Sequence, residues 1–398
     1  MIKLLVQGHV PKWFGGKQVS GLSNVMYSLA EGISQGKNIK VFFNATDITE
    51  NKTINNHFKL LGWNIKTVIY SILLNFSSLL PIWINSKQIV GNTGYKIKLN
   101  LFLKRLIFKY RLKLIKPQVI HFHGIDFFMF KDLIDGNVLV IVTIHHLLSN
   151  DGSVNQFKEY RIIENKLINN KRISKIFFVS TQVKNEAIKL GYLIKNNRVV
   201  LNAIDTSIYK FKNNIKSVSN RDLTICTIGS VCNRKGQKRV VEACLKLNNF
   251  DKITYYLIGG GDKDYISSIQ KLSSKSNIVD VKYLGIVDTH EIVNIYSESD
   301  FMILPSIKEG FGMTTMESIS CGTKVIVTND NPLVDEGLLN HSNSILINDH
   351  SIGSIINSLE NIELKYNKKK VSDTVSSLNW VKQAELYEQD ILSICGKN

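Results

Sequence analysis

Cysteine is scarce in this sequence, and its spacing gives no sign of a metal or redox site. The cysteines are odd in number, lie far apart along the chain and include no C-x-x-C pair. This excludes a small disulfide-rich secreted scaffold and indicates the reduced thiols of a cytosolic protein. The five are Cys226, Cys232, Cys244, Cys321 and Cys395.

Long apolar runs are also missing. The most apolar stretch, residues 67–84 (TVIYSILLNFSSLLPIWI), is interrupted by Asn75, two serines and Pro81. It therefore predicts a poor membrane-spanning helix, although a segment of this composition is able to lie on a bilayer. Near the start, only residues 4–6 (LLV) form an apolar run, which is far shorter than the core of a signal peptide. Secretion is not expected.

Acidic residues are few relative to basic ones. Fifty Lys and Arg face thirty-three Asp and Glu, a net charge of +17 that favours nucleic acid, anionic lipid or phosphorylated substrates as partners. An AT-rich genome, which favours Lys, Asn and Ile codons, would give the same excess, so charge alone does not decide. The basic residues are dispersed and no nucleic-acid-binding module is recognisable, so nucleic acid is not expected as a partner.

One basic segment has the pattern of an interfacial helix. Residues 96–116 (KIKLNLFLKRLIFKYRLKLIK) interleave Lys and Arg with Leu, Ile and Phe, as helices on membrane surfaces do. An ordinary surface helix gives the same pattern. The segment nevertheless predicts an anionic membrane surface as a partner.

The remaining composition is that of a globular protein, and the length of the chain predicts two domains. The chain has 398 residues, of which 44% are apolar and 21% charged. In the first half, short β-branched runs alternate with helical patterns such as residues 22–34, which predicts a parallel sheet. The predicted strands there are residues 2–6, 39–43, 65–70, 119–122, 138–144 and 176–179.

The same alternation restarts in the second half. Strands are predicted at residues 223–228, 254–258, 279–284, 301–304 and 324–327, after a polar linker at 210–220. The fold class is therefore α/β, with two Rossmann-like doubly wound parallel-sheet domains facing across a cleft. We assign residues 1–208 to an N-terminal acceptor-binding domain and 209–376 to a C-terminal donor-binding domain. Residues 377–398 form a final helix that packs back on the first domain.

Polar and glycine residues follow several predicted strands, where ligands of such sheets bind. In the first half, Gly15-Gly16 would let backbone amides approach a phosphate or sugar, although a simple turn explains them equally well. His121 and His123 share one face of a strand, and His145-His146 end the next strand. These imidazoles suit hydrogen bonding or acid–base work, or a structural role; a metal is not expected because further ligands at suitable spacing are missing.

In the second half, Arg234-Lys235 follow the first strand. The planar guanidinium of arginine beside the compact ammonium of lysine suits a diphosphate. A solvated charge pair is the alternative. The segment 305–322 (PSIKEGFGMTTMESISCG) places Glu309 in a loop and Glu317 on the following helix, where a carboxylate on an apolar face requires buried donors such as sugar hydroxyls. The amides of residues 313–315 at the helix start would face a bound diphosphate.

These residues carry a resemblance to a known family. The segment 305–322 resembles the E-x7-E signature of retaining nucleotide-sugar glycosyltransferases with the GT-B fold, family 4 in particular. Further similar motifs run in family order over nearly the whole chain. They are Gly15-Gly16, PQVIHFHG at 117–124, NAID at 202–205, Arg234-Lys235-Gly236, Gly259 to Asp262, and Tyr283-Leu284-Gly285.

The resemblance implies a role for each matching residue. Donor-binding roles fall on Arg234 and Lys235 (diphosphate), on Glu309 (sugar hydroxyls), on Gly310, Phe311 and Gly312 (amides to the sugar), on Met313 and Thr314 (helix start), and on Glu317 (ribose). Glu309, His123 and Lys235 would be the catalytic residues, with His123 near the transferred sugar. Gly15 and Gly16 would form a loop against acceptor or phosphate.

Some positions depart from the family pattern. Ser230 stands where the family frequently has Arg, so Arg234 is expected to substitute for it. Asp262-Lys263-Asp264 imitates a metal-binding D-x-D, but after three glycines it is expected to form a turn. No metal or cofactor is implied.

The resulting hypothesis is a retaining glycosyltransferase of bacterial surface polysaccharide synthesis, acting as a peripheral protein on the cytoplasmic face of the membrane. Its donor would be a nucleotide diphosphate-sugar, and its acceptor a glycan or a polyprenyl-diphosphate-linked oligosaccharide. The alternatives are a GT-B nucleotide-sugar epimerase and a non-catalytic protein that binds nucleotide sugar or glycan.

Overall fold

The structure is a computed structural model that describes residues 1–11, 21–45, 47–91, 93–150, 157–212 and 221–396. Gly15, Gly16 and most of the predicted linker 210–220 lie outside these residues. Two sheets are present within them, one in each half of the chain, and helices flank both. The predicted α/β architecture of two doubly wound domains is confirmed.

The first sheet forms the N-terminal domain. Its order is β3-β4-β2-β1-β5-β6-β7-β8, and all neighbours are parallel except the β3–β4 pair. Successive strands are added on one side of β1 up to β4 and on the other side from β5 onwards. The switch point between β1 and β5 is where such sheets open a ligand crevice. The strands are β1 (Ile2–Gly8), β2 (Ile39–Ala45), β3 (Lys52–Asn55), β4 (Phe58–Leu61), β5 (Val119–His123), β6 (Leu139–Ile144), β7 (Ile173–Phe178) and β8 (Asn197–Val199).

The second sheet forms the C-terminal domain and is entirely parallel. Its order, β11-β10-β9-β12-β13-β14, changes direction between β9 and β12. All four residues of β12 are buried, which explains its continuous apolar sequence. The strands are β9 (Asp222–Ile228), β10 (Lys252–Ile258), β11 (Val279–Gly285), β12 (Phe301–Leu304), β13 (Lys324–Thr328) and β14 (Ser344–Ile347).

Helices cover both faces of each sheet, as parallel strands require. Those of the first half are α1 (Gly21–Gln35), α2 (Ile65–Leu74), α3 (Leu79–Val90), α4 (Tyr95–Ile115), α5 (Phe127–Phe130), α6 (Phe157–Ile168) and α7 (Thr181–Lys189). Those of the second half are α8 (Gln237–Cys244), α9 (Lys263–Ser273), α10 (Thr289–Glu298), α11 (Met313–Ser320), α12 (Pro332–Asp335), α13 (Ile352–Glu360), α14 (Lys368–Asp373) and α15 (Trp380–Ile394).

The predicted strand at residues 65–70 is wrong, because this segment begins helix α2. Asn64 caps the helix by accepting a hydrogen bond of 2.9 Å from the Thr67 amide, and the Ser71 hydroxyl bonds back to the Thr67 carbonyl. The local cap and the packing on α4 therefore outweigh the strand propensity of this β-branched run. Asp262, part of the D-x-D imitation, likewise caps helix α9 through the Tyr265 amide at 2.7 Å.

The last helix, α15, packs on the N-terminal domain. A Cβ built on Gly32 of α1 would lie 2.9 Å from the Trp380 carbonyl, so the two helices touch at a glycine. The ring of Tyr387 lies 4.0 Å from that of Phe177 in β7, between centroids. The chain therefore leaves the first domain, builds the second and returns.

Candidate active site

The carboxyl ends of both sheets open into one cleft between the domains, with a cavity of about 750 Å³. The first domain contributes the start of α1 and the residues after β6, and the second contributes the turns after β9, β10 and β12. All nine predicted donor-binding residues line this cavity. They are Arg234, Lys235, Glu309, Gly310, Phe311, Gly312, Met313, Thr314 and Glu317.

Lys235 and Glu309 form an ion pair in the wall of the cleft. Their Nζ and Oε1 atoms are 2.5 Å apart, and each side chain is only 12% exposed. The turn that carries Lys235 reaches the loop after β12 because Gly236 has φ +78°, and a Cβ there would lie 2.8 Å from the Pro305 carbonyl oxygen. Sequence reasoning assigned the two charges to different parts of the donor, whereas the structure joins them.

Arg234 is fixed to the same loop. Its Nη1 donates to the Lys308 carbonyl at 2.5 Å, and its own carbonyl accepts from the Ile307 amide at 2.9 Å. Ser230, the departure from the family pattern, also lines the cavity. Arg234 and Lys235 therefore provide the cationic groups of this turn without an arginine at position 230.

The start of α11 faces the cavity between these cations and the first domain. Gly312 precedes the helix with φ +95°, a conformation that favours glycine, and the Met313 and Thr314 residues that follow line the cavity. First-turn amides have no partner within a helix and carry its positive dipole end. This geometry suits an anionic ligand, as the sequence predicted.

Glu317 lies on the buried face of α11 and is 7% exposed. Burial raises its pKa to about 8, and hydrogen bonds from Tyr209 and Tyr296 oppose that rise in part. The Tyr296 hydroxyl lies 3.4 Å from Glu317 Oε2 and 3.0 Å from the Thr314 carbonyl. The two tyrosines were missed at the sequence level, because no local pattern connects them with a glutamate so distant along the chain.

The histidines after β5 and β6 form a connected group. His123 Nδ1 lies 2.9 Å from His145 Nε2, and His121 Nε2 lies 2.7 Å from the Thr143 hydroxyl. Burial holds the pKa of His121 at about 3 and those of His123 and His145 well below the ordinary value, so all three are neutral at neutral pH. His145 lines the cavity, with His123 behind it. The role of His123 beside the transferred sugar stays a prediction.

Contacts between the domains flank the cleft. Ser180 donates to the Gly310 carbonyl at 2.9 Å, and Lys308 forms an ion pair with Glu186 of α7. A Cβ on Gly310 would lie 2.3 Å from the His145 carbonyl oxygen, so this glycine sets the approach of the two domains. The Glu186–Lys308 pair was not foreseen, since neither residue belongs to a motif.

No group of three or more His, Cys, Asp or Glu side chains suited to a metal ion occurs among the described residues. His123 Nε2 has no hydrogen-bond partner among them.

The architecture is that of the GT-B glycosyltransferases, as two parallel-sheet α/β domains face each other across the cleft. The sucrose-phosphate synthase of Thermosynechococcus elongatus has a similar structure, with a TM-score of 0.75 at 15% identity and 100% of both chains covered. This similarity confirms the predicted GT-B fold.

The match to a family model falls in the second domain. Residues 209–374 match the family model described as "Glycosyl transferases group 1". The N-acetyl-alpha-D-glucosaminyl L-malate synthase of Bacillus anthracis is 26% identical over 217 residues, which are 52% of this chain and 54% of the relative. The O-antigen chain mannosyltransferase RfbU of Salmonella typhimurium is 31% identical over 120 residues, 30% of this chain and 31% of the relative.

The chain thus spans about half the length of the first of these relatives and about a third of the second. Together, the family match and the fold support a glycosyltransferase.

Proposed function

We propose that the protein transfers a sugar from a nucleotide diphosphate-sugar to an acceptor hydroxyl, with retention of configuration at the anomeric carbon. The observation that carries this proposal is the convergence of Lys235, Glu309 and the α11 N-terminus in one wall of the interdomain cavity. A carboxylate that accepts from sugar hydroxyls then lies directly beside a cation for the diphosphate.

The reaction needs charge stabilisation at the leaving group. As the bond from the anomeric carbon to the β-phosphate oxygen breaks, negative charge develops on the nucleoside diphosphate and the sugar becomes oxocarbenium-like. Fixed cations and a helix N-terminus in a cleft that excludes water lower the energy of that state. Arg234, Lys235 and the first turn of α11 are the groups of this chain that would do so.

The acceptor oxygen would attack from the face that the diphosphate leaves. A bond forms between that oxygen and the anomeric carbon, and the acceptor proton passes to an oxygen of the departing phosphate. This step needs no protein base, which agrees with the lowered pKa values of the mutually bonded His123 and His145, because an imidazole of low pKa binds a proton weakly. We propose that no metal takes part, because Arg234 and Lys235 already supply positive charge at the turn.

We further propose a glycan or polyprenyl-diphosphate-linked oligosaccharide acceptor in bacterial surface polysaccharide synthesis. The support is the match to an O-antigen mannosyltransferase over 120 residues and the basic, apolar surface of helices α2 to α4. The protein would then work at the cytoplasmic face of the membrane.

The test is a screen of purified protein against UDP-, GDP- and dTDP-sugars with membrane lipid extract as acceptor. Thermal stabilisation by one nucleotide, with acceptor-dependent nucleotide release and the anomeric configuration of the product retained, is expected. Product of inverted configuration contradicts the mechanism. Conversion of the donor to its epimer without acceptor indicates an epimerase, and binding without any turnover indicates a non-catalytic binder.

Two variants probe the site. Glu309→Ala and Lys235→Ala should each lower turnover at least about tenfold, equivalent to about 1.4 kcal/mol of transition-state stabilisation, while the fold survives. Lys263→Ala, an exposed lysine of the same domain, is the matched control and should stay within about twofold of wild type. Near-normal turnover of either site variant removes that residue from the catalytic group.

A further inference from the structure

Exposed apolar side chains are concentrated on one part of the molecule. Twenty-five large apolar side chains are exposed among the described residues, and fourteen of them lie between residues 65 and 114. Scattered exposed apolar residues are normal on soluble proteins, whereas a cluster of this kind marks a binding surface. We call helices α2 and α3, residues 65–90, the apolar hairpin.

The polarity of the apolar hairpin is inverted. Its buried face, which packs on α4, carries mainly Thr67, Ser71, Asn75 and Ser86, each at most 7% exposed. Its outer face carries isoleucine, leucine and phenylalanine side chains, including Leu73 at 64%, Phe76 at 76% and Leu80 at 66% exposed. A helix of a water-soluble protein places these two kinds of residue the other way round.

Small polar residues between helices and apolar residues outside are typical of helices that contact lipid. The serines satisfy their hydroxyls within the hairpin, as Ser71 and Ser86 each donate to a carbonyl four residues earlier, at 2.6 Å. Asn75 donates to the Ser71 carbonyl at 2.9 Å. The serine hydroxyls of the inner face are therefore satisfied within the hairpin. The outer face is mainly apolar, and its exposed polar residues include Lys66, Lys87 and Gln88.

The charged residues of the sequence segment that contains the hairpin all have one sign. Residues 51–125 contain ten Lys, two Arg and no Asp or Glu, so this segment contributes +12 of the net charge of +17. Arg105 and Arg111 are buried, the first paired with Asp132 and the second bonded to the Gly62 carbonyl. The exposed lysines on the three helices are Lys66, Lys87, Lys96 and Lys113, and the exposed Lys116 directly follows α4.

We propose that the apolar hairpin inserts its outer face into the interfacial region of an anionic lipid bilayer, with the lysines of α2 to α4 on the headgroup phosphates. No single helix among the described residues is long and apolar enough to cross a membrane. The α2–α3 segment reaches that length and composition only as a pair bent by 81°, which suits a hairpin lying in the interface.

This assignment favours one of two segments that the sequence offered for membrane contact. Both the apolar stretch 67–84 and the basic segment 96–116 were able to lie on a bilayer, and α4 buries Leu101, Leu106, Phe108 and Ile115 inside the protein. Its Lys109 and Lys113 bond to Ser78 and to the Leu74 carbonyl at the hairpin turn. Helix α4 therefore supports the hairpin and adds positive charge, while ten of the fourteen exposed apolar side chains lie in the hairpin and four lie on α4.

The same helix connects the hairpin to the switch point of the first sheet. Burial lowers the pKa of His9 and raises that of Asp126, and the Lys104 ammonium of α4 is close enough to act on both. His9 and Asp126 follow β1 and β5, at the switch point of the first sheet. Resting on the proposed function, a docked hairpin would hold the acceptor side of the cleft beside the membrane that contains a lipid-linked acceptor.

The test is co-sedimentation of the full-length protein with phosphatidylcholine vesicles, with and without one third phosphatidylglycerol. A triple variant replaces Leu73, Phe76 and Leu80 by Gln, which removes apolar area without changing charge. The matched control replaces Ile162 and Leu193, exposed at 55% and 69% on the same domain, also by Gln. Thermal unfolding and nucleotide-induced stabilisation are recorded for each protein.

We expect wild type and control to bind phosphatidylglycerol vesicles, and the triple variant to lose at least about tenfold in partition coefficient with its unfolding unchanged. Binding should weaken as salt rises, since the lysines act through screened charge. Equal binding by the triple variant overturns the proposal. So does a dimer of the wild type that the variant abolishes without any vesicle binding.

These outcomes are separate from those for catalysis. Vesicle binding by a protein that neither binds nor turns over any nucleotide sugar would leave the docking surface standing and refute the proposed function. Turnover on a soluble donor with no vesicle binding would support the proposed function and refute the docking surface.

Discussion

Glu317 offers a direct test of the electrostatics of the cleft. Burial raises its pKa to about 8 in the folded protein, against an ordinary value of 4.5 in an unfolded chain. Between these values the folded protein holds a proton that the unfolded chain has released. The stabilisation is therefore fully present below about pH 4.5 and is lost as the pH rises through about 8.

The size of the effect follows from the pKa difference. Between about pH 6 and pH 8 the Glu317 contribution should fall by roughly 2 kcal/mol. Glu317→Gln replaces the neutral acid by a group of the same shape that cannot ionise. The melting temperature of wild type relative to this variant should therefore drop by roughly 4–8 °C from pH 6 to pH 8.

The assay is thermal unfolding of both proteins at three pH values, with Glu360→Gln, an exposed glutamate of the same domain, as control. The control should show a difference from wild type that does not vary with pH. A constant difference for Glu317→Gln as well, within about 1 °C, would mean that the carboxyl is ionised throughout and would refute the reasoning.

Three further predictions concern packing and domain contacts. Asp132→Asn should destabilise the N-terminal domain by about 3 kcal/mol in thermal unfolding, because it leaves the fully buried Arg105 guanidinium without its anion; a loss under about 1 kcal/mol would contradict this. Gly310→Ala should lower turnover at least about tenfold by pushing the domains apart, and unchanged kinetics would show that the loop adapts. Glu186→Gln removes the ion pair with Lys308 across the domains, so calorimetry should show their unfolding transitions less coupled, and an unchanged thermogram would argue against that link.

Much of the donor half was readable from the sequence. The strands of parallel sheets are buried on both faces, so residues 301–304 were predicted with the bounds of β12. Arg234, Lys235 and the segment 309–317 lie directly after strands, where the topology of such sheets fixes their position. The partners Tyr209 and Tyr296 were not predictable in this way, because their contacts with Glu317 depend on packing between distant elements.

The strand predicted at residues 65–70, in the apolar hairpin, was wrong for a different reason. Its β-branched run has strand propensity, and only the Asn64 cap and the packing on α4 select a helix. The helical period is also the same whether its apolar face points inward or outward. A pattern of serines and leucines alone predicts a core-facing leucine stripe, and the inversion becomes visible only when the burial of Thr67, Ser71 and Ser86 is known.

The neutral state of Glu317 has a consequence for the whole cleft. Arg234 and Lys235 bring two positive charges, and Glu309 cancels one of them. With Glu317 ionised, the four groups would sum to zero and would offer little to a diphosphate. With Glu317 protonated below its pKa of about 8, one positive charge remains, to which the α11 N-terminus adds about half a charge. Burial of this single carboxyl therefore removes one negative charge from the four groups, which favours the binding of a nucleoside diphosphate beside Arg234 and Lys235.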